Sequence, residues 1–457
     1  MRRSALGSKR ASGHSIQLVR RARRVDPFTI HEGAPDRTLT GYGGLVDFAR
    51  FTRSIGFDGD LTRAFQGLKR SPFVVYPMAF TLRTMVDLCV AGGGRPFDLE
   101  HLGADPVFQR LAGGFVPSVD VLYDDLRRFD GTSLAALDAM VGAQAIAVTR
   151  PLRLPEAHLD LDTSVLPVAS ERGGAAIGYN PQYPGRPSFH PILARIAESD
   201  VVLGGELRPG DTTFGETDVP FVVRMIDRAR EAAPGAWLTV RIDSAGDCAA
   251  ILRAIHGQQS FVLTKAKLTA DLQAAILQVS ARAWKTATRD ADDEPLVQVA
   301  ELDFRRASWG DRDALPVRVI AVRRKDRERR APSMLWPEME WTVDVYLSTD
   351  PTSEAWALVQ DYDGRAGIEP LIGEGKGAWA LTALSLDTFE ANHALLLLKL
   401  LALNLLRRYA ATVAPAQRRW RTPWLRRLLV EIPGRLVRSG RRTTLRLGRP
   451  RRPIARE

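Results

Sequence analysis

Cysteine is scarce in this chain: Cys89 and Cys248 are the only two among 457 residues. Two isolated cysteines supply neither the disulfide framework of a small secreted protein nor the ligand set of a zinc site. We therefore expect a cytoplasmic protein that an apolar core stabilises, and a hydrophobic fraction of 45% is typical of one.

Long apolar runs are also absent. The longest, at residues 395–406, is interrupted by Lys399 and Asn404 and is too short to span a bilayer. The N-terminus is basic, but the apolar segment of a secretory signal does not follow it. We expect no membrane role, and we expect 395–406 to lie in a buried helix.

Acidic residues are rare at both ends of the chain. Residues 1–25 carry eight arginines and lysines and no acid, and residues 415–457 carry fourteen arginines against Glu431 and Glu457. With a net charge of +11, the composition favours a polyanionic partner such as DNA. We predict basic tails at 1–25 and 413–457 that contact phosphates, although such tails can also act only as solubilising segments.

Residues 26–150 have apolar side chains at helical spacing, which predicts a helical domain, here taken to bind DNA. Within it, residues 105–129 predict two helices joined by a Gly-Gly turn, with Ser118 as the N-cap of the second. A helix-turn-helix that brings Arg127 and Arg128 to DNA fits this pattern, and a plain helical hairpin fits it equally well.

From residue 151 the pattern changes to short apolar strands separated by helices. In order, the candidates are strands at 158–165, 190–197 and 201–207, a helix at 218–233, a strand at 237–243, a helix at 247–255 and a strand at 261–265. This is the element order of a ribonuclease-H-like fold, a mixed α/β sheet with helices on both faces. We predict such a catalytic core over 151–280 and 356–412.

A β-rich insertion interrupts the predicted core at 281–355. Its strand candidates are 296–304, 316–323 and 341–347, where apolar and polar residues alternate. The insertion contains Trp309, Trp336 and Trp341. Helical spacing returns at 353–377 and 384–411.

Three carboxylates occupy positions at which this fold can bring them together. Asp162 lies in the first core strand, Asp243 at the end of the fourth, and Glu369 in a flanking helix. Cleavage of a phosphodiester by in-line attack commonly uses two divalent ions about 4 Å apart, held by such carboxylates. Asp160 competes with Asp162 for the first position. Asp247 and Glu374 are weaker alternatives for the other two.

Tyr362, Arg365, Glu369 and Lys376 are spaced so that one helix face would carry all four, within a sector of about 60°. Taken alone, this spacing also fits a solvated helix face with ion pairs between neighbouring turns. Pro370 and several glycines weaken the helix, so Lys376 could instead lie in a loop.

The pattern Tyr362-x2-Arg365-x3-Glu369-x6-Lys376 resembles the signature of one branch of the DDE transposases of bacterial insertion sequences. The segments LDLDTSV (159–165) and VRIDSAG (240–246) resemble the two aspartate blocks of that family. The resemblance covers about residues 151–411. It implies a cut-and-paste transposase that cleaves transposon ends and transfers the strands into target DNA.

By the same resemblance, Asp162, Asp243 and Glu369 would be catalytic and bind two Mg²⁺ ions, or Mn²⁺. Tyr362, Arg365 and Lys376 would contact DNA phosphates. An aromatic residue of the insertion would stack on a flipped base, with Trp309, Trp336 and Trp341 as candidates, although each also suits core packing.

The implied partners are double-stranded terminal inverted repeats and target DNA, bound by a homodimer in the bacterial nucleoid. The alternatives are a related or domesticated nuclease of the same fold and an inactive DNA-binding copy.

Overall fold

The structure, a computed structural model, describes residues 36–71, 73–169, 172–181, 183–325 and 341–448. The predicted basic segment at 1–25 and the predicted Trp336 lie outside these residues. The described residues from Leu39 onward belong to one compact unit.

A short strand, β1 (Leu39–Thr40), and seven helices come first, in the segment for which helical spacing was found. The helices are α1 (Leu45–Ser54), α2 (Phe57–Phe65), α3 (Met78–Val90), α4 (Leu99–Leu102), α5 (Pro106–Leu111), α6 (Val119–Leu126) and α7 (Gly131–Thr149). Their buried apolar residues share one core with residues of the C-terminal third, from Ile368 to Val430. The N-terminal helices therefore pack as part of the main body of the protein.

The segment examined as a helix-turn-helix consists of α5 and α6. Ser118 caps α6 as expected, accepting a hydrogen bond from the backbone N–H of Val121 at 3.4 Å. Asp125 of α6 is 1% exposed and pairs with Lys69, Nζ to Oδ2, at 2.6 Å. Because a buried ion pair fixes α6 to the body, the plain helical hairpin describes this segment better than a projecting recognition helix.

The predicted order of core elements is confirmed. In chain order they are β2 (Glu156–Thr163), β3 (Leu166–Pro167), β4 (Ala176–Ile177), β5 (Pro187–Phe189), β6 (Ile192–Ile196), β7 (Val201–Glu206), α8 (Val219–Ala232), β8 (Trp237–Ile242), α9 (Ala249–Gly257) and β9 (Phe261–Lys265). The three short strands β3 to β5 form a small sheet of their own in the order β3-β5-β4.

The main sheet has the strand order β7-β6-β2-β8-β9 in this region. Strand β6 is antiparallel to both of its neighbours, β7 and β2, whereas β2, β8 and β9 run parallel to one another. Asp160 of β2 stands opposite Arg241 of β8 in the parallel ladder. Alternation along β2 and β8 gives these two strands one apolar face and one face that carries Asp160 and Arg241, which we call the charged face.

The insertion extends the same sheet. After helix α10 (Ala270–Leu277), its strands are β10 (Lys285–Arg289), β11 (Pro295–Leu302), β12 (Arg318–Lys325) and β13 (Trp341–Ser348). Strand β13 pairs antiparallel with β9, and β12, β11 and β10 follow outward, so the sheet has nine strands. The predicted β-rich insertion is therefore continuous with the core.

The predicted helix at 353–377 is interrupted once. Helix α11 (Ala355–Asp363) leads through a 3₁₀ turn, Gly364–Gly367, into α12 (Ile368–Ala378). Pro370 is tolerated because the N–H groups of a helix's first turn have no intrahelical acceptor. Since α12 continues to Ala378, Lys376 lies in the helix and not in a loop.

The long apolar helix α13 (Phe389–Val413) is buried as predicted. Its two interrupting polar residues are satisfied internally. Lys399 donates to the carbonyl of Ala380 at 2.7 Å, and Asn404 donates to that of Val202 at 2.6 Å. In the described residues, Gly131–Leu152 and Phe389–Val413 are long and apolar enough to cross a membrane, but 83% of the second window is buried inside the protein.

The predicted C-terminal tail is corrected over residues 422–447, which fold into α14 (Thr422–Leu429), β14 (Gly434–Ser439) and β15 (Arg442–Leu447). The two strands form a hairpin, and β14 also pairs with β1. Leu436 and Leu445 of the hairpin pack against the helical core. Apolar residues between the arginines thus give this segment enough buried surface to fold.

Candidate active site

Two of the predicted carboxylates stand at neighbouring strand ends. Asp162 lies near the C-terminal end of β2, and Asp243 directly follows β8. Each is two residues beyond the paired Asp160 and Arg241, and so lies on the same face of the sheet. Adjacent strands are about 4.8 Å apart, so these carboxylates are neighbours at one edge of the charged face.

The third carboxylate, Glu369, reaches the same place from the first turn of α12. Arg365 lies between it and β2, with Nη1 at 3.7 Å from Asp162 Oδ2 and Nη2 at 3.8 Å from Glu369 Oε1. The Glu369 side chain is 66% exposed, whereas that of Arg365 is 11% exposed. One guanidinium thus faces two of the three predicted carboxylates.

The electrostatics of Asp162 reflect this clustering. Burial raises the pKa of Asp162, the Arg365 charge lowers it, and the negative charges of Asp243 and Glu369 raise it again, to about 6. Burial lowers the pKa of Lys376, which the charge of Asp162 partly offsets. The pKa of Asp162 is therefore raised mainly because its carboxyl group is buried, and a cation bound beside it would favour the charged form.

The three alternative carboxylates are engaged elsewhere in buried ion pairs. Asp160 is fully buried and pairs with Arg241 at 2.7 Å. Asp247 pairs with an arginine of the insertion at 2.6 Å and accepts the N–H of Lys267 at 2.7 Å. Glu374 accepts the N–H of Thr422 at 3.0 Å. Each holds protein groups together, which favours Asp162, Asp243 and Glu369 as the ligands.

The donor chemistry of these three carboxylates suits a divalent metal ion, since Mg²⁺ and Mn²⁺ prefer carboxylate oxygens. Within the described ranges, no three His, Cys, Asp or Glu side chains are close enough to form a metal site as they stand. The metal assignment therefore rests on the chemistry of the donor set, and it stays a prediction.

Comparison with known proteins adds an independent observation. The family model described as transposase DDE domain, group 1, matches residues 33–451. The chain belongs to this family of DDE transposases. The predicted family is thereby confirmed, whereas the bacterial insertion-sequence branch and its four-residue signature stay predictions.

No curated protein matches the chain in sequence. Among solved structures, it resembles the one described as the cryo-EM structure of the piggyBac transposase synaptic complex with hairpin DNA. The TM-score is 0.43 at 14% identity, over 85% of this chain and 81% of that one. The similarity is weak, and the family match alone bears on function.

Two residues of the predicted signature, Tyr362 and Arg365, are largely enclosed. Tyr362 is 6% exposed and packs edge-on against Tyr346, with ring centroids 5.1 Å apart. Burial raises the pKa of Tyr362 to about 12, so its hydroxyl remains a donor. Nε and Nη1 of Arg365 are buried and have no hydrogen-bond partner among the described residues.

The tryptophans predicted to stack on DNA have different positions. Trp309 is 2% exposed and packs edge-on against Phe304, so the structure places it in the core and not on a DNA-binding surface. Trp341 is partly buried and lies over the guanidinium of Arg323, whose Cζ is 4.8 Å from its ring centroid. Because apolar residues of neighbouring elements cover Trp309, the packing alternative holds for that residue.

The two arginines at the end of α6 are half exposed and paired. Arg127 bridges Asp124 at 2.9 Å and Asp387 at 2.7 Å, and Arg128 lies 3.5 Å from Asp125. Exposed pairs of this kind are weak. Contact of either arginine with DNA would require exchange of these partners and stays a prediction.

Sequence reasoning missed the arginines beneath the site. Arg241, in the segment quoted for the second aspartate block, is 4% exposed at its side chain and contacts both Asp160 and Asp361. Arg195 of β6 lies 3.3 Å from the other oxygen of Asp160. A charged residue at an inward position of a core strand was the available signal, since such a residue requires a buried partner.

Proposed function

We propose that the chain is a cut-and-paste DDE transposase with a ribonuclease-H-like core. It cleaves DNA at the ends of a transposon in a reaction that depends on two Mg²⁺ ions, for which Mn²⁺ can substitute, and joins those ends to target DNA. The observation that carries the proposal is that Asp243 and Glu369 lie near enough to Asp162 to raise its pKa, in a chain that matches the DDE family over most of its length.

The core topology supports this proposal. Five strands in the order β7-β6-β2-β8-β9, with α8 and α9 as the connections after β7 and β8, reproduce the element order of a ribonuclease-H-like sheet. In such open sheets, ligands bind beyond the carboxyl ends of parallel strands. Asp162 and Asp243 lie at that end.

In the proposed reaction, Asp162, Asp243 and Glu369 hold the divalent ions, which supply activation of the attacking oxygen and stabilisation of the leaving oxygen. Water attacks a phosphorus at the transposon end, and the bond to the 3′ oxygen breaks and leaves a 3′-hydroxyl. That hydroxyl then attacks a target phosphorus and displaces another 3′ oxygen. Arg365, with Tyr362 and Lys376 beside it, orients the phosphate under attack.

The partner we propose is double-stranded DNA, comprising terminal inverted repeats and target. The folded C-terminal segment provides a further basic surface for binding this DNA. Its arginines stand beside Trp420 and Trp424, which are 42% and 57% exposed. Cations interleaved with exposed aromatics suit phosphate contact and stacking. Synapsis of two ends implies a homodimer on DNA, in the nucleoid of a bacterial cell.

The test is cleavage of a labelled terminal-repeat duplex, taken from the DNA that flanks the gene, with and without Mg²⁺. Asp162→Asn, Asp243→Asn and Glu369→Gln should each reduce cleavage by at least about 100-fold and leave binding of the duplex near that of the wild type. Asp292→Asn, which removes an exposed carboxylate from the turn between β10 and β11, is the matched control and should cleave normally.

A wild-type protein that binds the duplex but never nicks it, with either Mg²⁺ or Mn²⁺, would identify an inactive DNA-binding copy. Cleavage that never proceeds to joining with a target plasmid would favour a nuclease of the same fold. Full activity of all three variants would disprove the site.

A further inference from the structure

The turn that carries Arg365 rests on two buried arginines of the sheet. Arg241 of β8 donates from Nη1 to the Asp361 carboxylate at 2.8 Å and to the Asp361 carbonyl at 2.7 Å. Its Nε donates to Asp160 Oδ1 at 2.7 Å. The guanidinium thus joins the middle of the sheet to the last turn of α11, where a cation is also favoured by the helix dipole.

Asp160 connects this arginine to a second one. Its Oδ2 lies 3.3 Å from Nη1 of Arg195, and Arg195 Nε lies 3.0 Å from Asp200. The side chains of Asp160, Arg195 and Arg241 are 0%, 9% and 4% exposed. Guanidinium groups that are buried and paired with carboxylates have little freedom to move, because any displacement leaves a buried charge unpaired.

Two glycines of the turn lie directly above these guanidinium groups. A Cβ atom at Gly364 would stand 2.7 Å from Nη1 of Arg241, and one at Gly367 would stand 2.7 Å from Nη1 of Arg195. Such distances are too short for carbon against nitrogen. The end of a free arginine could swing aside, but these two are fixed by their carboxylates. Glycine at both positions therefore sets how closely the turn approaches the sheet.

The height of this turn determines where the site residues stand. Arg365 lies between the two glycines, and Glu369 follows two residues after the second. We propose that Arg241 and Arg195, joined through Asp160, are positioning residues that set the turn Gly364–Gly367 and thereby place Arg365 and Glu369 over the strand ends. This inference rests on the proposed function for its catalytic consequence, but its structural claim can be tested separately.

The test compares glycines of the same segment. Gly364→Ala and Gly367→Ala should each lower the maximal cleavage rate about 10- to 100-fold and raise the half-saturating Mg²⁺ concentration several-fold, with end binding unchanged. Gly373→Ala is the matched control, since a Cβ there meets no atom within 4 Å. Arg241→Lys keeps the charge but loses the planar fork, so it should reproduce the Gly364→Ala effect.

A purely structural role would scale the rate with the folded fraction and leave the half-saturating Mg²⁺ concentration unchanged. That result in Gly364→Ala, Gly367→Ala and Arg241→Lys would overturn the proposal.

Hydrogen exchange of the amides of residues 364–378 provides the readout independent of activity. Exchange should accelerate in Gly364→Ala and not in Gly373→Ala, and equal exchange in both would overturn the proposal. If the wild-type protein fails to cleave DNA, the proposed function is lost, while the exchange comparison still decides the structural claim.

Discussion

At β2 and β8, the two faces of the central sheet are built from different chemistry. On one face, Leu159 and Leu161 of β2 and Val240 of β8 pack against α8 and α9, in a core made of apolar side chains. On the other face, the alternate residues of the same strands include Asp160 and Arg241, and α11 covers them. One pair of strands therefore supports both an apolar interface and an ionic one.

The two faces therefore have different roles, one in stability and one in positioning. Apolar burial is strong but non-directional, so it holds α8 and α9 to the sheet without fixing their positions finely. Ion pairs with hydrogen bonds are directional, and in a buried setting they contribute little net stability compared with apolar residues of the same size. The ionic face lies next to the candidate site, where placement of Arg365 and Glu369 matters more than stability.

Breaking the ionic face should have the largest effect on folding. Asp160→Ala leaves Arg195 and Arg241 buried without their shared carboxylate, and we expect a loss of about 3–5 kcal/mol in the free energy of unfolding. Urea denaturation monitored by circular dichroism measures it. Asp292→Asn should change stability by less than about 0.5 kcal/mol. A loss for Asp160→Ala as small as that control would mean that the network is loosely formed.

Breaking the apolar face should destabilise the protein without altering the site. Leu159→Ala removes a fully buried side chain and should cost about 2–4 kcal/mol. At a temperature where the variant is still folded, its half-saturating Mg²⁺ concentration should equal that of the wild type. If that concentration rises as it does on disruption of the Arg241 contacts, the proposed division of tasks between the faces is contradicted.

The ionic face should also make stability depend on pH through His158. Burial would lower the pKa of His158, but hydrogen bonds to Asp361 (3.0 Å) and Glu198 (2.6 Å) outweigh it and raise the pKa to about 9, against the opposing charge of Arg241. Between pH 6.5 and 9 the folded state keeps a proton that the unfolded state releases. The free energy of unfolding therefore falls as pH rises through that window, by about 2–3 kcal/mol.

The measurement is a series of denaturation curves from pH 6 to pH 10 for the wild type and for His158→Gln. The difference in the free energy of unfolding between the two proteins should shrink as pH rises. Subtracting one curve from the other removes the contribution of lysines and tyrosines, which titrate in both proteins. A constant difference across that range would show that folding does not raise the pKa of His158.

The smallest effect is expected where a glycine has no guanidinium beneath it. Gly373→Ala should stabilise α12 by about 0.5–1 kcal/mol, because alanine is the better helix former and the site is open. Thermal melting of this variant beside Gly364→Ala measures the contrast. Stabilisation by both substitutions would show that the turn is free to rise from the sheet.

Local patterns predicted much of this structure. The strand at 261–265 and the order of core elements follow from alternation and spacing, which depend only on neighbouring residues. The candidate carboxylates followed from that order together with the family resemblance. Pairing between distant segments was not predictable in this way, so the continuity of β13 with β9 was missed.

Charge misled the interpretation of the C-terminus. Its arginines indicated an unfolded tail, although Leu436 and Leu445 alternate with them in a hairpin. The glycines at 364 and 367 were taken only as a weakness of the helix. The structure explains why glycine stands at these two positions, because Arg241 and Arg195, more than a hundred residues earlier in the chain, lie directly beneath them.

The way the insertion joins the sheet bears on how such a protein can change in length. The chain leaves the core after Lys265 and returns along β13, where Tyr346 stands opposite Lys265 and Ser348 opposite Leu263. Departure and return are thus neighbours at one sheet edge. The loops between the outer strands can change in length, whereas β11 and β12 themselves pack against Leu358 and Tyr362 of α11 and cannot be exchanged without affecting that helix.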